Sequence, residues 1–263
     1  MDLIDIGANL THESFQHDFE EVIQTARDAS IVHIILTGTD LASSEAACNM
    51  ARQRPEFFSS TAGFHPHIAK DVSDADLEAQ AGLAREPEVV AIGETGLDYN
   101  RNFSPAADQL RIFEQQLELA VDTQKPVFLH QRDAHEDFVR ILRQFRPRLA
   151  GGVVHCFTDT GQALADYLEL DMYIGITGWI CDERRGLELQ SLVRHIPDER
   201  LLIETDAPYL LPRSLPTKPK TRRNEPRFLT EVLRVVAECR EQPEAELAQH
   251  SCQNSRNLFG IGS

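Results

Sequence analysis

Apolar residues recur along the chain in short, almost unbroken runs: LIDIG (3–7), VHIIL (32–36), FSSTAG (58–63), VVAIG (89–93), PVFLH (126–130), GVVHC (152–156), YIGIT (173–177) and LLIET (201–205). Several are apolar at successive positions, as expected of parallel strands buried on both faces. Between the runs the period changes. Leu110, Phe113, Leu117, Ala120 and Val121 fall on one face of a helix over 106–123. Residues 14–29, 41–54, 134–145 and 184–195 read as helical as well. Eight strands alternating with helices predict an α/β fold, a (β/α)8 TIM barrel, in which residues 1–263 form a single domain. An open doubly wound sheet is the competing architecture, but GANLTHE after the first run lacks its G-x-G-x-x-G turn.

Composition narrows the class without changing the fold. The 263 residues fit one barrel of about 250. The N-terminus MDLIDIGANL has no signal-peptide pattern, and no run approaches the ~20 apolar residues of a membrane span. Cys48, Cys156, Cys181, Cys239 and Cys252 form no CxxC pair and read as free thiols, so a cytoplasmic location is expected. No heptad pattern calls for an obligate assembly, and a monomer is favoured. The formal net charge of −16 argues against broad coating of nucleic acid. It leaves room for an enzyme that holds a polyanion locally.

Metal-capable side chains fall where the predicted strands end. Glu94 follows VVAIG, His130 ends PVFLH, His155 closes GVVH and Asp206 follows LLIET. His65 and His67 lie just beyond FSSTAG, and Asp5 and Asn9 lie in and after the first run. One such His is usually a hydrogen-bonded structural residue, and one such carboxylate a helix cap. Recurrence at the same end of four strands points instead to a shared cation, because C-terminal strand ends meet at a barrel's mouth. Bringing these carboxylates together without a cation would be electrostatically costly.

The segments GFHPH (63–67), IGETGLDYNRNFS (92–104), PVFLHQRDAH (126–135), VVHCFT (153–158), YIGITGWICDERR (173–185) and LLIETDAPYLLPR (201–213) together resemble the TatD family of metal-dependent deoxyribonucleases. The resemblance runs over nearly the whole chain. It implies an amidohydrolase-like TIM barrel with Glu94, His130, His155 and Asp206 as metal ligands, and a 3′→5′ exonuclease acting on single-stranded DNA or RNA, with a place in DNA repair. It also implies magnesium. One departure stands out: where many members carry Asp-x-His-x-His, this chain has Asp5-Ile6-Gly7-Ala8-Asn9. Gly7 offers no ligand and Asn9 only a neutral oxygen, so one firm cation is expected. The greater share of oxygen favours Mg2+, then Mn2+, over Zn2+.

On this reading Asp206 or Glu94, with Asp206 preferred, orients or deprotonates the attacking water. His65 and His67 are candidates to hold the scissile phosphate. The stretch 211–227 carries Arg213, Lys218, Lys220, Arg222, Arg223 and Arg227 against Glu225 alone. Arg222 and Arg223 are its leading candidates for phosphate contact. Trp179 and Tyr209 could stack on bases, although isolated aromatics are more often packing residues. Cys156 lacks the base and orienting group that a nucleophile needs. Two rivals stand beside the nuclease: a hydrolase of D-aminoacyl-tRNA or another ester or amide, and a non-catalytic binding protein.

Overall fold

The computed structural model describes residues 1–262. Its strands are β1 (Leu3–Ala8), β2 (Ile31–Leu36), β3 (Phe58–Ala62), β4 (Val89–Asp98), β5 (Val127–Arg132), β6 (Gly152–Val154), β7 (Tyr173–Ile176) and β8 (Leu201–Ile203). They form one sheet in sequential order, β1 through β8. A parallel bridge between Ala8 and Ala207 returns the chain beyond β8 to β1. Sequential parallel order that comes back to its start is the strand order of a (β/α)8 barrel, the predicted fold.

The helices are α1 (Phe19–Asp28), α2 (Leu41–Gln53), α3 (Asp74–Leu83), α4 (Ala106–Thr123), α5 (His135–Phe145), α6 (Gly161–Glu169), α7 (Leu187–Leu192), α8 (Leu229–Arg240) and α9 (Glu244–Phe259). Local signals set their ends. Ser73 and Asp76 form a capping box at the start of α3, and Gln124 in the left-handed region (φ 52°) stops α4. The predicted helix over 14–29 divides into a 3-10 turn at Glu13–Phe15 and α1. Helices α3, α6, α8 and α9 were not among the sequence expectations.

The chain resolves into two compact units, each discontinuous in sequence. The first comprises Met1–Leu36, Cys156–Gly161 and the chain from Ile174 onward. Its core packs β1, every residue of which is buried, with Val232, Leu233 and Val236 of α8 and Leu247 of α9 also buried. The second comprises Thr37–His155 and Gln162–Tyr173. Here Phe113 of α4 stacks on Phe138 of α5, with ring centroids 5.2 Å apart and planes 8° from parallel. Burying each such side chain contributes roughly 1.5–3 kcal/mol.

Seven of the eight strands end elsewhere than predicted, and three of the shifts matter for the site. β4 runs on to Asp98, because Thr95, Gly96, Leu97 and Asp98 continue the ladder against Leu129–Arg132 of β5. Glu94 therefore lies inside a strand, not after one. β6 and β8 stop earlier, at Val154 and Ile203, which places His155 one residue and Asp206 three residues beyond them. All five cysteines are free thiols. No helix among the described residues is long and apolar enough to cross a membrane.

Candidate active site

Glycines let the second unit bring its strand ends together. Gly93 has φ 147°, and a Cβ there would lie 2.2 Å from the Phe128 carbonyl oxygen. A Cβ on Gly63, just past β3, would lie 2.2 Å from the carbonyl carbon of Gly93. Only glycine permits both the conformation and the approach. The following peptide, Gly93–Glu94, is cis, and the Glu94 N–H donates to the Gly38 carbonyl at 2.7 Å. Glu94 is buried, 6% exposed.

Three imidazoles converge on one oxygen of that carboxylate. From Glu94 Oε1, His155 Nε2 lies at 2.9 Å, His130 Nδ1 at 3.0 Å and His65 Nε2 at 3.2 Å. Burial alone would push the Glu94 carboxyl up, but the fields of His155 and His65 and the hydrogen bonds from His130 and His155 hold it well below the usual carboxylate range. Burial pushes His65 the other way, down to about 4. His130 is raised: burial opposes its charge, but Asp98 and Glu94 outweigh burial.

Not every nitrogen in this group is equivalent. His65 N-caps the 3-10 turn Pro66–Asp71, its Nδ1 accepting from the His67 N–H at 3.2 Å. A neutral imidazole with Nδ1 accepting carries its proton on Nε2, so His65 faces Glu94 as a donor. A donor suits an anionic oxygen better than a cation. His130 Nε2, by contrast, is buried and makes no hydrogen bond, although Asp98 Oδ2 lies 3.4 Å away. An orphaned buried nitrogen beside a charged carboxylate, with His155 on the same oxygen, is a donor set that fits a divalent cation. Ligand-capable atoms of His65, Glu94 and His130 all lie within 4.8 Å of one another.

Asp98 is the residue that the sequence reading missed. Its Oδ2 lies 2.8 Å from His67 Nε2 as well as near His130, while its Oδ1 accepts from the Arg101 N–H at 2.8 Å. Burial raises its carboxyl, but the close approach of His130 and the hydrogen bonds from His67 and Arg101 carry it far below the ordinary range. The strand signal that could have found it is the alternation beyond Gly93: Glu94 and Asp98 are separated by an even number of residues and share a face.

In the first unit, Asp206 sits in the left-handed region (φ 56°). Its N–H donates to the Gly7 carbonyl at 2.8 Å, and its Oδ1 accepts from Asn9 Nδ2 at 3.1 Å. Asn9 thus serves Asp206 as a donor. Asp5 is fully buried and accepts from the Thr205 N–H at 2.9 Å, the Thr205 hydroxyl and the Gly7 N–H. Burial pushes its carboxyl up to about 7.

The basic stretch divides in two. Arg223, expected to contact substrate, is seated internally instead. Its guanidinium pairs with Asp18 at 2.6 Å and Glu225 at 2.9 Å, and also donates to the Ser14 carbonyl. It lies over the Phe15 ring at 4.7 Å. Arg213 pairs with Glu183 at 2.6 Å and Arg227 with Glu225 at 2.9 Å. Lys218, Lys220 and Arg222 are exposed and make no ion pair among the described residues.

The chain is similar to known proteins over nearly its whole length. The family model for TatD related DNase matches residues 4–260. A curated relative from Edwardsiella piscicida, named 3′-5′ ssDNA/RNA exonuclease TatD, is 51% identical over 262 residues, covering 98% of this chain and 100% of that protein. A protein of the same name from Escherichia coli (strain K12) is 49% identical over 259 residues, covering 98% and 99% respectively. Among solved structures, the TatD homologue YJJV from Escherichia coli k12 superposes with a TM-score of 0.88 at 29% identity, covering 99% of this chain and 98% of its own. A TatD family hydrolase from Entamoeba histolytica gives 0.88 at 27% identity, covering 100% and 99%. The lactonase Lmo2620 from Listeria monocytogenes, at 12% identity and a TM-score of 0.69, shares the fold alone.

Proposed function

As a member of the TatD family of metal-dependent DNases, to which this chain belongs, the protein hydrolyses phosphodiester bonds, and we propose that it trims single-stranded DNA or RNA from the 3′ end. The observation that carries the site assignment is the convergence of His65, His130 and His155 on Glu94 Oε1. Glu94, His130 and His155 are proposed as metal ligands, with Asp206 as the fourth. We propose magnesium as the working ion. Manganese is expected to bind more tightly, since imidazole is a softer donor than the oxygens that magnesium prefers. A cation held there supplies charge neutralisation at the phosphate and acidifies a water.

The chain's own residues do the rest. His65 and His67 are assigned to the scissile phosphate. Asp206 takes the proton of the attacking water. Glu94 is the poorer base, because three imidazoles share its oxygen and hold its affinity for protons down. Lys218, Lys220 and Arg222 are free to hold the departing strand, whereas Arg223 is committed to Asp18 and Glu225. The protein is proposed to act as a cytoplasmic monomer.

The test is a single-stranded oligonucleotide labelled at the 3′ end or, separately, at the 5′ end, incubated with magnesium or with EDTA. We expect early mononucleotide release from the 3′ label and a shortening 5′-labelled ladder, both abolished by EDTA and by Glu94→Ala. Intact labels under both magnesium and manganese would defeat the proposal.

A further inference from the structure

Phe103 presents an apolar ring to solvent at a place where the fold has arranged for it to stay. It is 56% exposed, one of only four large apolar side chains so exposed among the described residues, with Met1, Leu187 and Tyr209. Its ring stands edge-on to His67, with centroids 4.8 Å apart. His67 in turn stands edge-on to His65 at 4.1 Å, and His65 reaches Glu94 at 3.2 Å. A continuous row of rings therefore leads from open solvent to the carboxylate at the centre of the site.

The loop that carries Phe103 is pinned on both sides. Before it, the Tyr99 N–H donates to the Arg132 carbonyl at 2.9 Å, the Tyr99 hydroxyl to Asp137 at 2.9 Å, and the Arg101 N–H to Asp98 at 2.8 Å. After it, the Ser104 hydroxyl donates to the His67 carbonyl at 2.8 Å and accepts from the Lys70 N–H at 3.1 Å. An exposed aromatic on a slack loop would fold back onto apolar neighbours. One held out by such anchors keeps a face free for a flat, apolar partner.

We propose that Phe103 is the stacking platform for a nucleobase beside the scissile phosphate, and that it sets the preference for unpaired strands, whose bases can leave their own stack. The proposal rests on the nuclease reading above. Stacking on an aromatic ring is tolerant of base identity, as trimming of mixed sequences requires. His67 then has two edges in use, one toward Asp98 and one toward the ring that carries the base, which fixes the phosphate and the base relative to each other.

The test compares single-stranded oligonucleotides whose last two 3′ nucleotides are either normal or abasic. Phe103→Ala is expected to raise KM about tenfold for the normal substrate, to leave the abasic one within about twofold, and Phe103→Trp to restore the wild-type value. Equal losses on both substrates, or no loss on either, would overturn the proposal. A second readout needs no turnover: 2-aminopurine at the 3′ end, titrated in EDTA, is expected to be quenched by the wild type and not by Phe103→Ala. Fluorescence unchanged by the wild type, or quenched equally by both proteins, overturns the stacking platform. Quenching lost in Phe103→Ala, with no cleavage of either substrate by the wild type in magnesium, supports the platform and defeats the exonuclease reading alone.

Discussion

Asp98 engages two imidazoles at once, and its removal should be felt through both. It lies 2.8 Å from His67 and 3.4 Å from His130, which faces Glu94 with its other nitrogen. On the proposed assignment of His130 as a metal ligand, Asp98 fixes the orientation of its ring, and such supporting carboxylates are worth about 10–100-fold in metal affinity. Asp98→Asn is therefore expected to weaken Mn2+ binding by about that factor in calorimetry while folding normally. An unchanged affinity would reduce Asp98 to a packing role. At this scale the sequence was readable where chemistry and position coincided: Glu94, His130 and His155 do meet at one point. Asp98 was not readable because the strand was expected to end at Gly93, which left it in a turn. The internal pairing of Arg223 was illegible for a different reason. Charge along the sequence does not reveal which cation has an internal partner, and Asp18, 205 residues away, is invisible as one.

Elements were legible wherever their apolar pattern was undivided. The helix over 106–123 matches α4, and all eight strand segments are occupied by strands. Boundaries shifted where hydrogen bonding outran hydrophobicity, as in the second half of β4. Helix α8 is harder to read, although Leu229, Val232, Leu233 and Val236 carry the same one-face spacing; it follows a proline-rich stretch that reads as loop. In α3 the fault lies in the signal, since Gln80 is the buried residue there. The junction of β1 with the end of β8 carries a consequence for stability. Asp5 has an ordinary value of 3.8 and a folded one of about 7. The folded state thus holds the proton more tightly, and the stability this confers is complete below 3.8 and lost as pH rises through about 7. Asp5→Asn keeps an oxygen for the Thr205 and Gly7 N–H groups and cannot ionise. Urea unfolding in EDTA should show the wild type losing up to about 4 kcal/mol relative to the variant between pH 4 and 8. A constant difference across that range would show that Asp5 does not carry its proton in the fold.

For the whole molecule, the balance of 26 basic against 42 acidic residues makes each unpaired cation count. Replacing Lys218, Lys220 and Arg222 together by Ala should raise KM for oligonucleotides and lessen its dependence on salt, since each lost phosphate contact removes about 0.7 from the logarithmic slope on a single strand. An unchanged slope would mean that the stretch serves solubility alone. The two units could not have been read from the sequence at all, because each is assembled from separated segments and no composition shift marks where the chain passes from one to the other. That interleaving gives the bridge between Ala8 and Ala207, and the bonds from Thr205 to Asp5, a meaning in time. A ribosome adding about 5–20 residues per second delivers the first strand roughly 10–40 s before the residues that close on it. Throughout that interval the newborn chain holds a largely apolar strand, LIDIGA, with one flank unsatisfied, so synthesis, not the finished fold, is the period in which this protein is most exposed to aggregation.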